Sequence, residues 1–147
     1  MKKFRFRMQV VLDMREKELE ERQMEMAKIL AALNSQQQKL QQILGYQEEI
    51  KQQLEALCTM EYLDIEQIES HKNFGIKLLE DVRNQERIID NTESILKVKQ
   101  KEVKEAHQKV EILKKLKEKQ EREYYQEFQK AEMKEIDDMT SARYRLN

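Results

Sequence analysis

The chain has 147 residues, of which 39% are charged, with no proline, two glycines and one cysteine. Its 28 Lys and Arg nearly balance 29 Asp and Glu, which argues against a bulk nucleic-acid binder. The remainder is dominated by Glu, Lys, Gln, Leu, Ile and Met, good helix formers, so the composition excludes a broad core with an enclosed active site and points to long helices.

The first residues, Met1 to Arg7, are basic, but Asp13 and Arg15 follow too soon for the apolar core of an export signal. No stretch approaches the roughly 18 apolar residues that cross a bilayer. The lone Cys58 cannot form an intrachain disulfide and suits a reducing compartment. The expectation is a soluble cytoplasmic protein.

From Met8, the positions Leu12, Arg15, Leu19, Arg22, Met26, Ile29, Leu33, Gln36, Leu40, Ile43, Gln47, Ile50, Leu54 and Leu57 alternate steps of three and four. A 3.5-residue apolar repeat of this length winds two helices around each other. Arg15, Arg22, Gln36 and Gln47 interrupt the seam, and polar residues there can set register. This predicts helix 1 over about 4–58.

The seam turns polar between Cys58 and Asp64, which predicts a turn at about 59–64. Asp64-Ile-Glu-Gln67 has the form of a helix start, with an Asp able to accept from first-turn amides and a Gln three residues on. Counted by sevens, the register also runs through Glu61, Asp64, Ile68, His71 and Gly75 to Leu78 and Val82. A single continuous helix in a parallel homodimeric scaffold is therefore the alternative reading.

Helix 2 is predicted over about 65–143. Val82, Ile89, Leu96, Val103 and Val110 fall seven apart, with Leu78, Ala106 and Leu113 on a companion row. Leu79, Ile88 and Ile95 are expected to widen the apolar stripe. With the chain reversing near residue 61, Gly45 and Tyr46 fall opposite Phe74 and Gly75. Helix 1 then covers helix 2 only to about residue 118, and an overhang from about 119 has no partner inside the molecule. An amphipathic helix of that kind usually finds its partner outside.

Two readings of the group near the turn stand side by side. In one, the glycines make room for Tyr46 and Phe74 in local packing. In the other, Lys39, Ile43, Tyr46, Ile50, Phe74 and Leu78 form a partly exposed flank of the type that anchors binding. Charge is uneven as well: residues 97–122 are lysine-rich, the hairpin brings Lys2, Lys3, Arg5 and Arg7 beside their far end, and 123–138 are mainly acidic. A solvated face explains the basic run. A collar for an acidic protein surface, or a nucleic-acid or membrane-surface binder, are the other readings of it.

Catalytic constellations are missing. His71 and His107 lack metal-ligand spacing, there is no Gly-rich phosphate loop, and no Ser sits in a nucleophile motif. No catalytic, cofactor-binding or metal-ligating residues are assigned.

The opening Phe4-Arg-Phe-Arg-Met-Gln-Val-Val-Leu-Asp-Met-Arg-Glu16 resembles the start of the FliJ family, small coiled-coil components of the bacterial flagellar type III export apparatus. Tyr46-Gln-Glu before the turn, Phe74 with Leu78 after it, and the ending Glu132-Met-Lys-Glu-Ile-Asp-Asp-Met-Thr-Ser-Ala-Arg143 match in the same order. The resemblance implies an all-α fold, a long antiparallel two-helix coiled-coil hairpin like the gamma-subunit stalk of rotary ATPases, in a single domain.

It further implies a non-enzymatic part of flagellar motility and chemotaxis. Such a stalk binds the hexameric flagellar export ATPase by the end bearing the termini, and the cytoplasmic domain of the export gate protein by the tip-side flank. Some members also bind export chaperones. Carried onto this chain, gate binding falls on Ile43, Tyr46, Ile50, Phe74 and Leu78, and ATPase binding on Tyr124, Phe128, Met133, Ile136 and Met139. No cofactor, nucleic acid or small-molecule substrate is implied. The implied place is the cytoplasm, peripherally at the inner face of the membrane at the flagellar base.

Overall fold

The computed structural model describes residues 2–146 and contains two helices, α1 (Gln9–Cys58) and α2 (Ile65–Leu146). They pack against each other as an all-α helical hairpin, and no strand occurs among the described residues. The break at residues 59–64 sets aside the single continuous helix. The chain divides into two compact units, one of Gln23–Glu102 and one of Met1–Arg22 with Val103–Asn147.

In the first unit the reversal is made by caps. The Asp64 carboxylate accepts from the Gln67 amide at 3.2 Å, and the Ile68 amide bonds the Asp64 carbonyl at 3.0 Å. That satisfies first-turn donors that would otherwise have no helical partner. On the other side, the Thr59 hydroxyl donates to the Ala56 carbonyl and its amide to the Glu55 carbonyl, closing α1 without a glycine. The His71 ring lies between the Gln67 carbonyl (2.8 Å) and the Gln53 side-chain amide (3.0 Å), tying the two helices just behind the turn.

Along this unit the three-four spacing of α1 is the spacing of its covered positions, from Met26 and Ile29 to Leu54 and Leu57. Arg22, at the end of the other unit, departs from that row and is exposed. On α2 the buried residues are Leu78, Val82, Gln85, Ile89 and Thr92. The expected widening of the stripe does not occur, since Leu79, Ile88 and Ile95 stay exposed. The companion row instead runs Leu78, Gln85, Thr92, Lys99, because a position seven residues from a seam residue faces the partner helix whatever its chemistry. Each polar member is accommodated. Gln85 donates to the Gln36 backbone carbonyl at 2.9 Å, and Thr92 donates to Ile88 in its own helix. Lys99 pairs with Glu25 at 3.2 Å and Glu102 at 3.5 Å. The Glu25–Lys99 pair lies one turn beyond the Leu96 that reversal near residue 61 would set opposite Glu25.

The second unit begins differently from expectation. Residues 2–6 are non-helical, and α1 starts at Gln9 rather than near residue 4. With Phe6 at Val110 and Leu113 and Phe4 at Tyr124, two residues bridge contacts about three turns or more apart on α2, a reach that only extended chain has. Phe4 and Phe6 are two residues apart, a spacing that puts both on one face only in extended chain. Phe6 is buried with Leu12, Val110 and Leu113, and Phe4, Leu19 and Leu116 pack around that cluster. Burying a side chain of this size contributes roughly 1.5–3 kcal/mol. The Gln9 amide bonds the Phe6 carbonyl at 3.1 Å, and the Leu12 amide bonds Met8 at 2.9 Å.

Extended chain also covers about twice the length per residue that helix does. Hence the N-terminal segment follows α2 past the expected residue 118. Lys117 donates to the Gln9 side chain at 2.8 Å, the Phe4 and Tyr124 rings lie 5.7 Å apart, and the Tyr124 hydroxyl donates to the Lys2 carbonyl. Cover on α2 ends at Phe128, and every residue of 129–146 is exposed.

Candidate interaction surfaces

Two helices in contact have a groove on each side of their seam, and in the first unit both grooves are apolar. One, of about 410 Å³, is lined by Lys39, Ile43 and Tyr46 of α1, and by Phe74, Lys77, Leu78, Asp81, Asn84, Gln85 and Ile88 of α2. Leu78 is its floor at 4% exposure, while Tyr46 (51%) and Phe74 (46%) are half-open walls. Residues 74, 78, 81 and 88 recur at steps of three, four and seven, so α2 presents them on one side. Lys39, Lys77 and Asp81 give the rim mixed charge. An apolar floor between half-open aromatic walls has the chemistry to take apolar or aromatic side chains.

Four of the five residues expected at the gate, Ile43, Tyr46, Phe74 and Leu78, therefore share one groove. Ile50 does not. It lines the opposite groove, of about 480 Å³, with Gln47, Leu54, Cys58, Gly75 and Leu79 among its neighbours. A Cβ at Gly75 would meet Ile50 Cγ2 at 3.7 Å, an ordinary contact, so Gly75 brings α2 close to Ile50 rather than to Tyr46. A Cβ at Gly45 would meet nothing within 4 Å. Glycines making room for the two rings is thus not what the structure holds; the rings are half exposed instead. Asp81, Asn84, Gln85 and Ile88 extend the groove beyond the expected patch, and continuing the spacing of Phe74 and Leu78 along α2 would have reached them.

In the second unit the expected ATPase-facing residues divide into two sets. Tyr124 is engaged internally by Phe4 and Lys2, and Phe128 is partly covered. Met133 (66%), Ile136 (57%) and Met139 (64%) are exposed on a stretch of α2 that nothing in the described residues covers. Tyr125 and Tyr144 are exposed as well. Among the described residues no group of three or more His, Cys, Asp or Glu is placed to hold a metal ion, and no helix is long and apolar enough to cross a membrane.

Compared with known protein families, residues 4–147 match the one described as "Flagellar FliJ protein". No curated protein and no solved structure matches the chain.

Proposed function

The chain belongs to the FliJ family of flagellar export components, and we propose that it acts as a non-enzymatic stalk between the hexameric export ATPase and the cytoplasmic domain of the export gate. The role is mechanical, with ATP hydrolysis carried out by the partner ring, and export chaperones are further partners. The site of action in this reading is the cytoplasmic side of the membrane at the flagellar base.

The observation that supports it most is the groove joining Ile43, Tyr46, Phe74 and Leu78, whose two aromatic walls remain half exposed. Half-exposed aromatics around an apolar floor are what binding anchors look like before the partner arrives. Ile50 joins the gate contact only if the partner wraps both sides of the seam. Met133, Ile136 and Met139 offer the ring an apolar face that the hairpin does not use itself. Tyr124 acts there by holding the N-terminal segment in place, and Phe128 stands where cover on α2 ends.

The test is binding of the Tyr46→Ala, Phe74→Ala double variant to the gate's cytoplasmic domain. Loss of two anchors at roughly 2 kcal/mol each weakens affinity by a factor on the order of 1,000, with helicity by circular dichroism unchanged. Unaltered affinity, or an equal loss of thermal stability and binding, overturns the assignment of the groove.

A further inference from the structure

The first seven residues set cations against aromatics with a period of two: Lys3, Arg5 and Arg7 alternate with Phe4 and Phe6. Phe6 is buried, Phe4 packs on Tyr124 at 5.7 Å, and the Tyr124 hydroxyl holds the Lys2 carbonyl. The cations are therefore carried on an anchored backbone rather than on a loose tail. Between this segment and α2 lies a groove of about 630 Å³ lined by Lys2, Lys3, Arg5 and Tyr124, with no carboxylate among its lining residues.

Elsewhere in the chain, Arg15 and Lys99 have carboxylate partners. The side chains of Lys2, Lys3 and Arg5 have none within the described residues. The nearby acids Glu118 and Glu121 line a separate groove with Arg122 and Tyr125. Three cations lining one groove suit a group with several anionic oxygens on a single centre. An acidic helix would offer carboxylates one at a time along its length. Arginine adds a planar fork that matches two phosphate oxygens at once.

We infer that this N-terminal groove binds a phosphate group, with Arg5 as the bidentate contact, Lys2 and Lys3 as point charges, and Tyr124 as the apolar wall. The same chemistry is presented by an anionic lipid headgroup and by a soluble phosphate. The inference does not depend on the gate or ATPase contacts proposed above.

The full chain is tested by co-sedimentation with vesicles of mixed phosphatidylglycerol and phosphatidylcholine, against vesicles of phosphatidylcholine alone. In parallel, inorganic phosphate is titrated while the Lys3, Arg5 and Tyr124 amides are followed by nuclear magnetic resonance. Binding to the anionic vesicles with no response to phosphate identifies a lipid headgroup. Amide shifts with phosphate, and displacement from vesicles by it, identify a soluble phosphate. Each cation near an anionic surface is worth about fivefold in partitioning, so Lys3→Gln with Arg5→Gln lowers binding roughly 25-fold. The charge-matched Lys130→Gln, Lys134→Gln variant, altered on the uncovered end of α2, changes it far less. Neither substitution set touches Phe4 or Phe6, so the segment stays anchored. Absence of binding in both arms, or equal loss in both variants, overturns the inference.

Discussion

The side-chain amide of Gln85 donates to the backbone carbonyl of Gln36 at 2.9 Å, from a buried seam position. The Gln36 side chain fares worse, since its Oε1 is buried with no hydrogen-bond partner among the described residues. A two-helix interface has few places to hide polar groups, and a buried unsatisfied acceptor costs about 1–3 kcal/mol.

Gln36→Leu removes that acceptor while keeping the backbone carbonyl that Gln85 uses. The variant is expected to gain about 1 kcal/mol in urea unfolding. A loss of stability would mean that the Gln36 amide contributes a contact worth more than its unpaired oxygen costs.

The extended N-terminus and the uncovered end of α2 make opposite predictions. Phe6→Ala empties part of the Leu12, Val110 and Leu113 cluster and should cost about 3 kcal/mol. Removing residues 129–146 takes away no buried side chain, and it should leave the denaturant midpoint within experimental error while lowering helicity in proportion to length. Equal sensitivity to the two changes would contradict the observed end of cover at Phe128.

Lys99 is held above the ordinary lysine range, first by its hydrogen bond to Glu25, against some desolvation, with Glu102 adding attraction. A raised folded-state value means that the stabilisation is fully present below the unfolded lysine value and is lost as pH climbs through the folded one. Wild type and Lys99→Met should therefore differ by a constant amount from neutral pH to about pH 9, and converge above about pH 10.4. The measurement is thermal unfolding across that range. A difference that vanished already at neutral pH would remove Lys99 as a seam contributor.

Much of this arrangement is legible in the residue order. The step of three and four from Leu12 to Leu57 marks the covered face of α1 except at Arg22, and Asp64 with Gln67 marks the start of α2, because both signals are local and depend on one helix at a time. Gln85 and Thr92 were harder to see, since an apolar count skips polar residues even where their spacing demands burial. Ile50 and Tyr46 are expected on one flank, yet the seam divides them onto opposite grooves.

Periodicity, composition and capping residues alone determined that this chain is built of long helix, which row of α1 is covered, and where a second helix can start, while leaving one continuous helix open. These are set by backbone geometry within a few turns. Only the tertiary structure decided that residues 2–6 abandon the helix to insert Phe4 and Phe6, that Tyr124 is spent on holding them, and that α2 stays covered as far as Phe128. An extended segment laid against a distant helix gains its stability from contacts more than 100 residues away in sequence, and no local pattern carries that information.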